Sequence, residues 1–110
     1  MATILNIVNK GVVDAVGTPA LLDQCAEEAS ELSQASLKMA RKLRNENPTP
    51  KSITDIRDDL IEEISDVLLS VDYVMHCCNI SNEDLAQVIT EKQVRWIDRL
   101  NEMKKEEGEE

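Results

Sequence analysis

The chain has 110 residues, enough for one domain with a single core in which most helices bury only one face. Its 22 acidic against 12 basic residues leave a net charge of -10, which argues against binding a nucleic-acid backbone or an anionic membrane surface and suits a protein that gathers cations. No apolar run approaches the roughly 20 residues of a membrane span and no charged-then-apolar signal pattern opens the sequence, so a soluble, cytoplasmic protein is expected.

Taken in order, the first segment, Thr3 to Lys10, is apolar at Ile4, Leu5, Ile7 and Val8 and reads as a short helix. Gly11 bends or restarts it before a second patch at Val12, Val13, Ala15 and Val16. Gly17-Thr18-Pro19 then combines a breaker, an N-cap residue in Thr18 and a proline at the first helical position, so a long helix is expected from Pro19 to about Asn45. Nothing in that span interrupts it: beyond Pro19 there is no glycine or proline, good helix formers dominate, and Lys38, Arg41, Lys42 and Arg44 crowd the end where cations complement the helix dipole. Asn45 to Pro50 is the clear loop, with its hinge at Pro48-Thr49.

A second long helix is expected from about Ser52 to Cys78, with Ser52 and Asp55 spaced as a capping box and with an apolar series through Ile56, Leu60, Ile64, Val67, Leu68, Val71 and Val74. Ser81 and Asp84 repeat the start signal for a last helix running to about Lys105. Its inner side should carry Leu85, Val88, Ile89, Val94 or Ile97, and Leu100, and its charged tail should fray. With no strand pattern, repeat or glycine-rich phosphate loop, the class is all-α: an antiparallel bundle of four or five helices built on a long helical hairpin. Cys25, Cys77 and Cys78 read as reduced thiols rather than bridges or a zinc site, and the one histidine, His76, as a helix-end residue.

The chemistry lies where the apolar stripes are broken. Leu21, Cys25, Leu32, Ala35 and Met39 form one stripe, with Glu28 standing where an apolar side chain belongs. Ile56, Leu60, Val67 and Val74 form the other, interrupted by Glu63. Each intruder has a second acid three residues on, Glu31 and Asp66, on the same helical face. Counted outwards from the hinge, the centres of the two pairs differ by about three residues, roughly 4.5 Å of helix rise, so they can face each other. Four sheltered carboxylates repel one another unless a cation sits among them. Hard oxygen ligands without histidine or thiolate select magnesium, with manganese as a substitute, and magnesium leaves positions open for phosphate oxygens. Glu27, Glu62, Asp58 and Asp59, beside these pairs, read mainly as solvated surface.

The residues Glu27-Glu28-Ala-Ser-Glu31 and Glu63-Ile-Ser-Asp66, the latter followed by Val-Leu-Leu, resemble the paired signature of the MazG-like, all-α nucleoside triphosphate pyrophosphohydrolases. The similarity spans about Leu21 to Arg99. It implies that Glu28, Glu31, Glu63 and Asp66 bind magnesium and that a nucleoside triphosphate is split between its α and β phosphates, giving the monophosphate and pyrophosphate. The 31 residues between Glu31 and Glu63 are more than is usual in the family. Lys92, Arg95 and Arg99, which step along one helical face, look like the family's basic segment and would hold the outgoing pyrophosphate. One of Glu28 or Glu31 is the natural acceptor of the water's proton.

With one tryptophan, one tyrosine and no phenylalanine, an aromatic partner for the base is restricted to Trp96 or Tyr73, and Gln24 and Gln34 are the amides near enough to serve base or sugar. Apolar surface at Ile4, Ile7, Val12 and Val16 suggests self-association, and the resemblance points the same way, to a dimer or tetramer. Two rival functions remain open from the residues: a phosphoribosyl-ATP pyrophosphohydrolase sharing the metal logic, and a non-catalytic acidic helical module binding a basic partner.

Overall fold

The computed structural model describes residues 2–46 and 49–109, without the side chain of 109; Asn47 and Pro48, and with them half of the expected hinge, lie outside the described residues. Four helices follow one another with no strand among the described residues: α1 (Lys10–Val16), α2 (Thr18–Arg44), α3 (Ile53–Cys77) and α4 (Asn82–Glu109). None is long and apolar enough to cross a membrane.

The long hairpin of α2 and α3 is the centre of the fold, and α1 folds back onto α2. Its ends are set by local chemistry. Ser52 caps α3 by accepting a hydrogen bond from the Asp55 amide at 3.1 Å, as the spacing predicts. The Ser81–Asp84 box is reciprocal: the Ser81 amide donates to Asp84 Oδ2 at 2.8 Å, and the Asp84 amide donates to Ser81 Oγ at 3.2 Å. Both long helices of the hairpin stop on an asparagine in the left-handed region, Asn45 at φ 58° and Asn79 at φ 57°. After each, the next amide reaches back five residues, Glu46 to the Arg41 carbonyl and Ile80 to the Met75 carbonyl, satisfying carbonyls that a helix end leaves open.

The start of α2 differs from expectation. Thr18 is the first helical residue rather than the cap; the cap position belongs to Gly17, whose φ of 87° suits a residue without a Cβ and which supplies no side-chain hydrogen bond. The segment expected as the first helix is not helical either. Residues 2–9 run as irregular chain, with Asn6 in the left-handed region, and only Lys10 begins α1.

The reason is a residue that pattern reading passed over. Asp72, on α3, is fully buried, and it accepts hydrogen bonds from the Leu5 amide at 2.8 Å and the Ile7 amide at 3.3 Å. Next to it, Tyr73 Oη accepts from the Asn9 amide at 3.0 Å. The strap is closed at its other end by Asn82, whose backbone amide donates to the Ala2 carbonyl at 3.0 Å and whose side chain donates to the Thr3 carbonyl at 2.9 Å. Backbone groups that would have made helical hydrogen bonds are spent elsewhere, the amides of Leu5, Ile7 and Asn9 on α3 and the carbonyls of Ala2 and Thr3 on the start of α4. The signal was present in the sequence: one carboxylate inside the most apolar run of α3, between Val71 and Tyr73.

The last helix departs furthest from a closed bundle. From Ala86 to Gly108 every residue is exposed, including Val88, Ile89, Val94, Ile97 and Leu100, so within one chain these do not form an inner side. Helix α4 runs on through Glu109, four residues beyond the end expected at Lys105. The Cα radius of gyration is 18.4 Å against about 13 Å for a compact chain of this length, because α4 stands away from the hairpin.

Burial alone would push the Asp72 carboxyl up. The hydrogen bonds from the Leu5 amide, the Thr3 side chain and the Ile7 and Ile4 amides outweigh it and hold the group below its ordinary value of 3.8. Between the depressed value and 3.8 the unfolded chain binds more protons than the folded one. The stability Asp72 contributes is therefore complete above about pH 3.8 and is lost as pH falls through the folded value. Asp72→Asn should cost roughly 2 kcal/mol in urea unfolding at pH 7 and flatten the acid limb within that window. Wild-type stability and acid response in that variant would contradict the strap.

Candidate metal centre

Each long helix brings two acids to the seam of the hairpin, Glu28 and Glu31 from α2 and Glu63 and Asp66 from α3. Spacing of three residues keeps each pair on one face, and the antiparallel register brings the pairs together. One carboxylate oxygen from each of the four lies within 4.8 Å of the others. Glu28, Glu63 and Asp66 are half-buried, while Glu31 is exposed.

Withdrawal from water pushes the Glu28 carboxyl above its ordinary range, and the charges of Asp66 and Glu31, contact with the Glu31 carboxyl and the charge of Glu27 add to it. Burial also raises Glu63, followed by the charge and contact of Glu31 and the charges of Asp66 and Glu28. One oxygen of each, Oε2, is shut off from water and has no hydrogen-bond partner. Buried acceptors are normally paired. Two orphaned oxygens in a cluster of carboxylates fit a divalent cation, and a donor set made only of carboxylate oxygens suits magnesium or manganese better than zinc or copper.

The neighbouring acids behave as surface. Glu27, Glu62 and Asp58 are exposed, and Asp59 is engaged by Lys51 at 2.7 Å. The basic residues expected to hold pyrophosphate are not brought to the cluster within one chain. Lys92, Arg95 and Arg99 line one shallow surface of α4 together with Trp96, which is 65% exposed. Gln24 stands one turn before Glu28 and lines an apolar recess with Val12, Leu21, Leu69, Ser70 and Tyr73. Sequence reading paired Gln24 with the site but missed the recess, which exists only where α1 meets the hairpin.

Glu28→Gln should raise the melting temperature of the metal-free protein at pH 7, because it removes one of four repelling charges and keeps the shape. Manganese at a hundred times its dissociation constant should stabilise the wild type by about 2.7 kcal/mol and leave the variant nearly unmoved. An unchanged manganese response in Glu28→Gln would remove that carboxylate from the centre. Comparison with protein-family models, with curated proteins and with solved structures finds no match to this chain.

Proposed function

We propose that the chain is a magnesium-dependent nucleoside triphosphate pyrophosphohydrolase, converting a (deoxy)nucleoside triphosphate and water to the monophosphate and pyrophosphate. The observation that carries this reading is the meeting of Glu28, Glu31, Glu63 and Asp66, with two buried oxygens that no protein donor satisfies. The same four residues make up the paired signature that resembles the MazG-like enzymes, which is what directs the reading from metal binding to the α–β phosphoanhydride.

Magnesium bound there would supply positive charge to phosphate oxygens and make a bound water more acidic. The chain's own part is to hold four carboxylates in register on two rigid rods, so that little reorganisation is needed when substrate arrives. Glu28 and Glu63, with their shielded oxygens, serve best as permanent ligands. Glu31, the exposed member, is best placed to take a proton from the attacking water and pass it to solvent. This favours Glu31 over Glu28 as general base.

Self-association belongs to the same proposal. On α4, Ile89, Trp96, Leu100 and Met103 fall on one face, edged by Lys92 and Arg99, and on the hairpin Ile61, Ile64 and Leu68 are exposed as well. A homodimer or tetramer would cover both surfaces. In it, α4 cations would reach phosphate only on a neighbouring hairpin.

A panel of ribo- and deoxynucleoside triphosphates with phosphoribosyl-ATP, assayed for pyrophosphate with and without magnesium, is expected to give magnesium-dependent release from nucleoside triphosphates. Glu31→Ala and Asp66→Ala should reduce it by at least about a thousand-fold with the helical content preserved. Release confined to phosphoribosyl-ATP would move the enzyme to that substrate, and none at all would leave the acidic interaction module. Light scattering at micromolar concentration should give at least twice the 12.3 kDa chain mass, and a strict monomer would overturn the oligomer.

A further inference from the structure

Two clefts flank the carboxylate centre along the hairpin, and their chemistry is opposite. On the loop side, Gln34, Ala35 and Lys38 of α2 face Ile56 and Asp59 of α3, with Glu31 and Glu63 forming the inner wall. Lys38 lies seven residues beyond Glu31, two turns along the same face, roughly 10 Å of rise. Asp59, the acid that shares this cleft, is held by Lys51 at 2.7 Å, and Lys38 has no ion-pair partner among the described residues. An uncommitted ammonium is thus left facing the approach to the carboxylates.

On the other side lies the recess of Val12, Leu21, Gln24, Leu69, Ser70 and Tyr73. Its walls are mostly apolar and no cation lines it. The tyrosine is fixed there by the Asn9 amide bound to its hydroxyl. Apolar walls with a few placed amide and hydroxyl groups are what a planar heterocycle and its sugar require, and what a polyphosphate, which would lose water there with nothing to replace it, does not.

We propose that a nucleoside triphosphate lies along the hairpin with a fixed polarity: its β and γ phosphates toward Lys38, its nucleoside in the Gln24–Tyr73 recess, and the α–β linkage at the four carboxylates between them. This rests on the pyrophosphohydrolase reading and adds to it Lys38 as a phosphate-binding residue supplied by the same chain, while Gln24, already a candidate for base or sugar, is given its place in the recess. The reverse polarity would set the most charged end of the ligand against Leu21 and Leu69 and leave Lys38 beside a neutral ring.

Calorimetry with the full chain, loaded with manganese, separates the two ends by using probes that each contain only one. Inorganic tripolyphosphate should bind Lys38→Ala about 10- to 100-fold more weakly than wild type, the loss of a charge-assisted contact, while Gln24→Ala and Val12→Trp bind it as wild type does. A nucleoside monophosphate should show the converse, weakened by Gln24→Ala and Val12→Trp and nearly indifferent to Lys38→Ala. Manganese titrated alone should bind all four proteins equally, which keeps loss of fold or metal out of the comparison. Undiminished tripolyphosphate binding to Lys38→Ala, or weakening by Val12→Trp instead, overturns the polarity while leaving the metal centre intact. Failure of the wild type to bind manganese overturns the metal centre and the polarity with it.

Discussion

Mutual repulsion among four carboxylates is the constraint around which this molecule is built. The seam between α2 and α3 would be a continuous apolar stripe if Glu28 and Glu63 were replaced by leucines. Instead the hairpin carries like charges at its middle, where the helices exclude part of the solvent that would screen them. Burial first, and then the charges of the neighbouring acids, push the Glu28 and Glu63 carboxyls above their ordinary value. A sheltered cluster of like charges is a local conflict of the kind that natural chains keep mostly where function needs it.

The rest of the architecture keeps that conflict from opening the hairpin. Above the cluster, the N-terminal strap is hydrogen-bonded to Asp72 and Tyr73 and closes over the end of α3, joining residues more than sixty positions apart. Below it, Ile56 is almost completely buried, and the loop is tied back where Lys42 donates to the Thr49 carbonyl at 3.2 Å. The cluster is held between two fixed ends. Asp72 shows how a buried carboxylate differs from the four beside it: its oxygens are met by backbone amides, so its charge is stabilised, whereas Glu28 and Glu63 have shielded oxygens that nothing in the chain meets.

The helix α4 states the opposite problem. It is amphipathic and almost wholly exposed, whereas a helix within a protein owes most of its stability to packing of its apolar face. A long helix with Ile89, Trp96, Leu100 and Met103 aligned in solvent has an incomplete environment in the single chain. The hairpin has a comparable deficit at Ile61, Ile64 and Leu68. The two deficits and the basic edge of α4 against an acidic hairpin are what connect the proposed assembly to the proposed chemistry.

Local signals were enough to read the four carboxylates, the two long helices and the serine caps, because each depends on residues within one or two turns. A 3.6-residue period reveals an acid in an apolar row, and Ser-x-x-Asp marks a helix start wherever it falls. The same rules misjudged residues 2–9, whose apolar pattern suits a helix but whose amides are captured by Asp72 from 67 positions away. They also placed an inner side on α4 that its own chain does not cover, since periodicity shows that a face wants burial without saying what buries it. Which elements meet, and which acids go unpaired when they do, was decided by tertiary contacts: a hydrogen bond or a shared recess between distant segments has no periodicity in the sequence to announce it.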